Sequence, residues 1–338
     1  MDIAVTPLDP ADDAAAHKAC EIMAAAVAAD IPDFPPMTEK RFFGMLRHPW
    51  PGNSFQHALA YLDGVPAGYV EIGLPQLDNL ENAELELAVH PDHRRRGVGR
   101  ALFEYAMGVA RGLGRKRIAG MALEPLPGGV ARDPAGGAFA EAMGAKPALQ
   151  EVRRRLDVTT LDHEALDAML AAARAKSAGY SLVLWRDATP DDLIDDVAYL
   201  DGRLLSDAPM GELEWEAEKI DAARVRANEA VKSARGRRQY NAGARHDESG
   251  RLVAFTTIDS GDLTWHAFQQ ITLVEPNHRG HRLGALVKVE NLRFALAHEP
   301  ELRVIDTWNA GVNDHMISIN EAMGFRPVDG WQNWQLSV

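Results

Sequence analysis

The sequence predicts an α/β (α+β) chain made of two duplicated domains, each a mostly antiparallel sheet followed by a β-α-β crossover. Three observations carry this. PDHRRRGVGRAL at 91–102 returns as PNHRGHRLGALV at 276–287, an offset of 185, and EAMGAKP at 141–147 returns as EAMGFRP at 321–327, an offset of 180. Two echoes in the same order at nearly the same spacing mark a repeated unit. The residues before each arginine-rich segment alternate with period two, and those after it have helical spacing.

Taken in order, AAAHKACEIMAAAVAAD at 14–30 is an alanine-rich helical pattern, with Cys20 in the place of a small buried hydrophobe. FQHALAYLDGVPAGYVEIGL at 55–74 reads as two strands joined at Asp63-Gly64, and AELELAVHP at 83–91 as a third, with Glu84 and Glu86 alternating against Leu85, Leu87 and Val89. A helix then starts near Gly99 and stops at Gly112 or Gly114, KRIAGMALE is the next strand, and a short helix closes in EAMG. The polar helical stretch at 158–181, broken at Gly179, predicts domains at 1–158 and 180–338 with a linker helix over 159–179. The second half repeats the order: a hairpin at 238–259, a strand at 266–276, a helix from 283 and a strand at 302–309. Before it, GELEWEAEKIDAARVRANEA at 211–230 reads as an acidic helix, and Arg153, Arg154 and Arg155 as a solvated strand face.

A chain of 338 residues is long enough for two cores, and 46% hydrophobic with 25% charged residues is an ordinary globular composition. No run approaches the roughly 18 apolar residues a membrane helix needs. The acidic start MDIAVTPLDPADD lacks the basic and apolar parts of a signal peptide, which predicts a cytoplasmic protein. A net charge of -13 opposes nucleic-acid binding and favours a cationic small-molecule partner. A monomer or homodimer is expected. No histidine or cysteine spacing suggests a metal site, since His278 and His281 stand among arginines.

A strand, an arginine- and glycine-rich turn and a helix make an anion trap, because the first helical N–H groups have no partners and the dipole adds about half a positive charge. Gly97 and Gly99 let the backbone approach a phosphate, and Arg94, Arg95 and Arg96 carry matching charge. There is no GK[ST] of a P-loop, and GVGRAL lacks the third glycine of a dinucleotide fingerprint.

VHPDHRRRGVGRAL, with glycine at +3 and +5 from the arginine, resembles motif A of the GCN5-related N-acetyltransferase (GNAT) superfamily. HRGHRLG followed by TWNAGVNDHMISINEAMGF is similar to the same motif and to the family's later strand and helix. The duplication resembles the tandem members, the mycothiol synthase-like acetyltransferases. The resemblance implies two GNAT-type domains and acyl transfer from acetyl-CoA, or another acyl-CoA, to the primary amine of a small molecule such as an antibiotic or another amino-containing metabolite. It further implies that the cofactor's pantetheine arm pairs with Leu87, Ala88 and Val89, and with Leu273 and Val274. Its pyrophosphate would sit on the backbone of Arg94, Arg95, Arg96, Gly97, Val98, Gly99 and Arg100 in one half. In the other half the matching residues are Arg279, Gly280, His281, Arg282, Leu283, Gly284 and Ala285.

The first half offers Glu84 or Glu86 as a base, two apart and so on one face. The position where many family members carry an acidic tyrosine is Ala140, beside Phe139. In the second half that position is Asn320, whose amide can donate to a thiolate. Asn309 and Asn313 resemble the family's asparagine, and His266 is the one titratable group on the approaching strand. Arg282 replaces Gly97, which restricts the second turn. Two further readings stay open at this point: a non-catalytic acyl-CoA-binding or regulatory tandem module, and one active domain with a degenerate structural partner.

Overall fold

The computed structural model describes residues 2–338, which form twelve strands and ten α-helices. The first half runs β1 (Ile3–Leu8), α1 (Asp13–Asp30), α2 (Glu39–Arg47), β2 (Asn53–Leu62), β3 (Val65–Pro75), β4 (Asn82–Val89), α3 (Val98–Gly112), β5 (Arg117–Glu124), α4 (Ala135–Ala142) and β6 (Lys146–Asp157). The second runs α5 (His163–Arg174), β7 (Tyr180–Arg186), α6 (Ile194–Gly202), α7 (Leu204–Asp207), α8 (Ala222–Ala234), β8 (Arg238–His246) and β9 (Leu252–Ser260). It ends with β10 (His266–Val274), α9 (Leu283–His298), β11 (Val304–Ala310), α10 (Asp314–Met323) and β12 (Arg326–Ser337). Each half is thus a mixed α/β unit with a mostly antiparallel sheet and flanking helices.

The chain divides into two compact units: Met1–Glu151 with Met210–Trp215 and Asp329–Val338, and Val152–Pro209 with Glu216–Val328. Strand order in the first is β1-β2-β3-β4-β5-β12, with β4–β5 parallel and β5–β12 antiparallel from Arg117↔Ser337 to Glu124↔Gly330. In the second it is β6-β11-β10-β9-β8-β7, with β10–β11 parallel. Segment 159–179 lies in the second unit, where its helix α5 packs on α9 through Leu166, Leu170 and Ala173.

Period-two alternation sorts the first sheet. Ala58, Ala60, Val70 and Ile72 share a core with Leu102, Ala106 and Ala110 of α3, while Leu59, Tyr69 and Ala88 pack with Ile22 and Met23 of α1 and Phe42 of α2. The turn at Asp63 and Gly64, both with positive φ, makes the tight β2–β3 connection.

Two expectations need correction. Residues 211–221 are not helical; α8 starts only at Ala222 behind the Asp221 cap. Their backbone is used elsewhere: Glu212 N–H donates to Ala148 O, Glu214 N–H to Gln335, and Glu214 O accepts from Asn82, so no i→i−4 ladder forms. The Glu214 carboxylate meets Arg117 at 2.6 Å, and Glu218 pairs Arg224. The Arg153–Arg155 run is not a solvated face either. Arg153 is fully buried, and both Arg153 and Arg155 hold Asp306 of β11, at 3.3 and 2.8 Å.

Candidate active site

Both arginine-rich segments build the same loop. A single 3-10 turn (Pro91–His93, Pro276–His278) ends each incoming strand, and the arginine after it folds back. Arg94 donates through Nε to Val89 O at 3.2 Å and bidentately to Asp30 at 2.7 Å. Arg279 likewise donates to Val274 O at 3.3 Å and to Asp207 at 3.2 Å. Arg94 and Arg279, expected to serve a phosphate, turn their guanidiniums to carboxylates, and their own N–H groups donate to Pro91 O and Pro276 O. What remains open, among the described residues, are the consecutive N–H groups of 95–100 and 280–285, none of which has a protein acceptor. Arg95 and Arg96 also keep side chains free of protein partners, and Val98 and Leu283 open the helices.

The glycine difference between the loops is an exchange rather than a loss. Two positions per loop are left-handed: Arg95 (φ 62°) and Gly97 (φ 89°), then Gly280 (φ 88°) and Arg282 (φ 56°). Each loop places one glycine and one arginine there, in opposite order. An L-residue in this region costs about 1 kcal/mol, so each loop bears a similar strain. Gly99 and Gly284 follow in the first helical turn. A Cβ on Gly99 would lie 3.4 Å from Phe139 and 3.6 Å from Val89; on Gly284 it would lie 3.5 Å from Ile319 and 3.7 Å from Val274.

Beside each loop the parallel strands part. β4 pairs with β5 only from Asn82↔Arg117 to Leu85↔Gly120, although both strands continue for four residues. β10 pairs with β11 only over His266–Phe268. The strand stretches carrying Leu87, Ala88 and Val89, and Leu273 and Val274, thus present edges to a gap that a further extended segment can fill.

The units differ on the sheet face opposite α3 and α9. In the first, His57, Glu71 and Glu86 stand side by side on three adjacent strands (His57↔Glu71, Glu71↔Glu86). His57 Nδ1 lies 2.8 Å from the Tyr69 hydroxyl, which also hydrogen-bonds Glu71, and 3.6 Å from Glu71 Oε2. Burial lowers the His57 pKa to about 4, so its ring is neutral. Burial, with Glu71 and Glu86 nearby, raises Tyr69 well above the ordinary phenol. Glu86 keeps a solvent-accessible side chain, yet the protein surrounding it raises its carboxyl pKa, with Arg41 of α2 partly offsetting. Glu84, two residues earlier, lies over Gly73, where a side chain on β3 would crowd it.

In the second unit the matching row is Asn241↔Thr257, joined at 2.7 Å and opposite a one-residue bulge between Gln269 and Thr272. It contains no carboxylate. His266 is buried against Asp306 at 3.0 Å, and that aspartate, despite burial, is held at about 2 by Arg155, His266 and Arg153. Asn320 is fully buried, donates to Asn309 at 2.7 Å, and has no partner for its Oδ1; Asn313 caps α10 at Met316 N–H.

Sequence reasoning named both loops and Glu84 and Glu86. It did not name His57, Tyr69, Glu71, Arg41 and Asp30, which the structure brings beside them. The alternation in GYVEIG was a usable signal for Tyr69 and Glu71 sharing a face; nothing local pointed to the other three.

The fold is that of an acyltransferase family: the chain belongs to the GCN5-related N-acetyltransferases. The acetyltransferase (GNAT) family profile matches residues 21–124. Over 99% of this chain and 98% of the other, it is 33% identical to a tandem GNAT protein from the clavulanic acid biosynthesis pathway, with a TM-score of 0.85. It also shares its fold with a GCN5-related N-acetyltransferase from Sphaerobacter thermophilus (13% identity, 99% and 95% coverage, TM-score 0.65). The N-myristoyltransferase of Saccharomyces cerevisiae is similar at 12% identity, 99% and 80% coverage and a TM-score of 0.59. Among curated proteins no sequence matches. Among the described residues no helix is long and apolar enough to cross a membrane.

Proposed function

We propose that the protein transfers an acetyl or other acyl group from acyl-CoA to the primary amine of a small molecule, and that the first unit carries the chemistry. The observation that supports this most directly is Glu86 on β4, an accessible carboxylate of raised pKa beside the gap between β4 and β5 and next to a loop with six open N–H groups. Acyl-CoA supplies a thioester, an acyl group already activated for attack by an amine. The N–H groups of 95–100, with Arg95 and Arg96, bind the pyrophosphate; Leu87, Ala88 and Val89 align the pantetheine arm along the strand edge. Glu86 takes the proton of the incoming ammonium, either directly or through water, and a pKa above the ordinary glutamate makes it a better base. Glu71 and Glu84 add negative charge that favours a cationic acceptor, and His57 and Tyr69 hold Glu71 in place. Attack of the neutral amine leaves a second proton on the nitrogen of the tetrahedral intermediate; as that intermediate collapses the proton passes, through water, to the departing thiolate, which leaves as the free thiol. A small acceptor also agrees with the biosynthetic setting of the similar tandem protein.

The second unit supports a different role. Its loop and strand gap are intact, so residues 280–285 and the Leu273–Val274 edge, with Asn309, Asn313 and Asn320 nearby, bind acyl-CoA, but its Asn241–Thr257 row offers no base. We infer a binding partner for the active unit.

Thiol release from acetyl-CoA with a panel of amines tests both readings, using wild type, Gly99→Trp and Gly284→Trp. Gly99→Trp is expected to abolish turnover, and Gly284→Trp to remove CoA binding at one of two sites while turnover persists. Turnover that survives Gly99→Trp would overturn the assignment to the first unit.

A further inference from the structure

Arg41 stands where proton abstraction gives no reason for a cation. Thr38 caps α2 by accepting the Arg41 N–H at 3.1 Å, so Arg41 lies in the first helical turn, where the dipole disfavours positive charge. Its neighbour Phe42 packs edge-on against Tyr69, with ring centroids 5.6 Å apart, which sets this turn over the strand face that carries Glu71 and Glu86. The guanidinium is half-buried over the Phe34 ring at 5.7 Å, and its charge reaches Glu86, whose carboxyl pKa it pulls down. Arg41 thus opposes both its own helix dipole and the basicity of Glu86. Asp33, in the segment that enters α2, is held by Arg132.

We propose that Arg41 receives a carboxylate of the acceptor, which is therefore an amino acid or a related compound carrying both a primary amine and a carboxylate. The inference rests on acyl transfer at Glu86 and narrows its acceptor. Glu71 and Glu86 attract the ammonium end and Arg41 the anionic end, so the two charges orient the molecule with its nitrogen toward the base. A guanidinium has five N–H donors in a planar fork, which lets Arg41 grip a carboxylate bidentately and keep its face on Phe34. An acceptor with positive charge alone would be repelled by Arg41, whereas one with both charges satisfies each side of the site. Its carboxylate would also offset the pull of Arg41 on Glu86 and return basicity to the base once the acceptor is bound.

The test is thiol release from acetyl-CoA with α-, β- and γ-amino acids, each beside its carboxamide, and with simple amines as a reference set. Wild type, Arg41→Met and Arg41→Lys are compared at a pH above the acid limb. Wild type is expected to favour the acids over the carboxamides about ten- to a hundredfold in kcat/KM, as a charge-assisted pair gives, mostly through KM. Arg41→Met should bring that ratio close to one, and Arg41→Lys should keep part of it. Differences in amine basicity cancel, because the ratio is compared between variants. If amines are acylated but the acids gain nothing over the carboxamides, or keep their advantage in Arg41→Met, the proposal is overturned while acyl transfer stands. Turnover of no amine in any set would overturn acyl transfer at this site and the proposal with it.

Discussion

Glu86 owes its place to alternation and its chemistry to neighbours. The pattern Glu84-Leu85-Glu86-Leu87 put both glutamates on one strand face, and that much was legible. Which of them lines up with Glu71 and His57 depends on β3 and β2, whose register shifts by one residue between Ala60 and Tyr61. A one-residue slip flips every side chain to the other face, so counting back from the Asp63-Gly64 turn would pair His57 with the wrong neighbour. Glu86→Gln is expected to lower kcat about 10²- to 10⁴-fold while CoA affinity is retained, measured by turnover and by calorimetric titration of CoA. Because only the ionised carboxylate accepts a proton, activity should rise with pH through a midpoint above the ordinary glutamate value of about 4.3. Arg41 holds this pKa down, so Arg41→Met should move the acid limb to higher pH. A limb that stays put would show that another group sets it.

At the scale of elements, the two loops solve one geometric problem twice. Replacing Gly97 by Arg282 reads in sequence as a restricted second turn, yet Arg95 and Gly280 exchange the same burden, so both loops keep the same pair of left-handed positions. Arg282→Gly is expected to raise stability by about 1 kcal/mol, read from the denaturation midpoint, with the loop conformation unchanged. α9 shows a further element-level compromise. Lys288 is fully buried, and desolvation lowers its pKa to about 7, beneath the Phe325 ring at 5.7 Å. A lysine whose folded pKa lies below its unfolded value of about 10.4 destabilises the fold most when both states are protonated; the penalty fades as pH rises from about 7 toward 10. Lys288→Met should therefore stabilise the protein by a few kcal/mol, more at about pH 6 than at about pH 9, and thermal melts at both values check this.

At the scale of the whole molecule, the first unit is closed by the end of the chain. Residues 330–337 pair along the full length of β5, and Asp329, fully buried, meets Arg132 at 2.9 Å while Arg132 also holds Asp33. Deleting 329–338 is expected to unfold the first unit before the second, seen by hydrogen exchange as early loss of protection in β4 and β5. Asp329→Ala alone should cost about 3–5 kcal/mol, because it leaves a buried guanidinium short of a partner. If both units lost protection together, the strand would not be a local closure. The sequence by itself determined the duplication, the two arginine-rich turns and the faces of β4, because these follow from local spacing, turn chemistry and periodicity, and its motifs carried the resemblance to the family. Tertiary structure decided that Glu71 stands between His57 and Glu86, that Arg94 belongs to Asp30 and that β12 completes the first sheet. Those pairings join residues far apart in the chain, and register and packing select them where local pattern is silent.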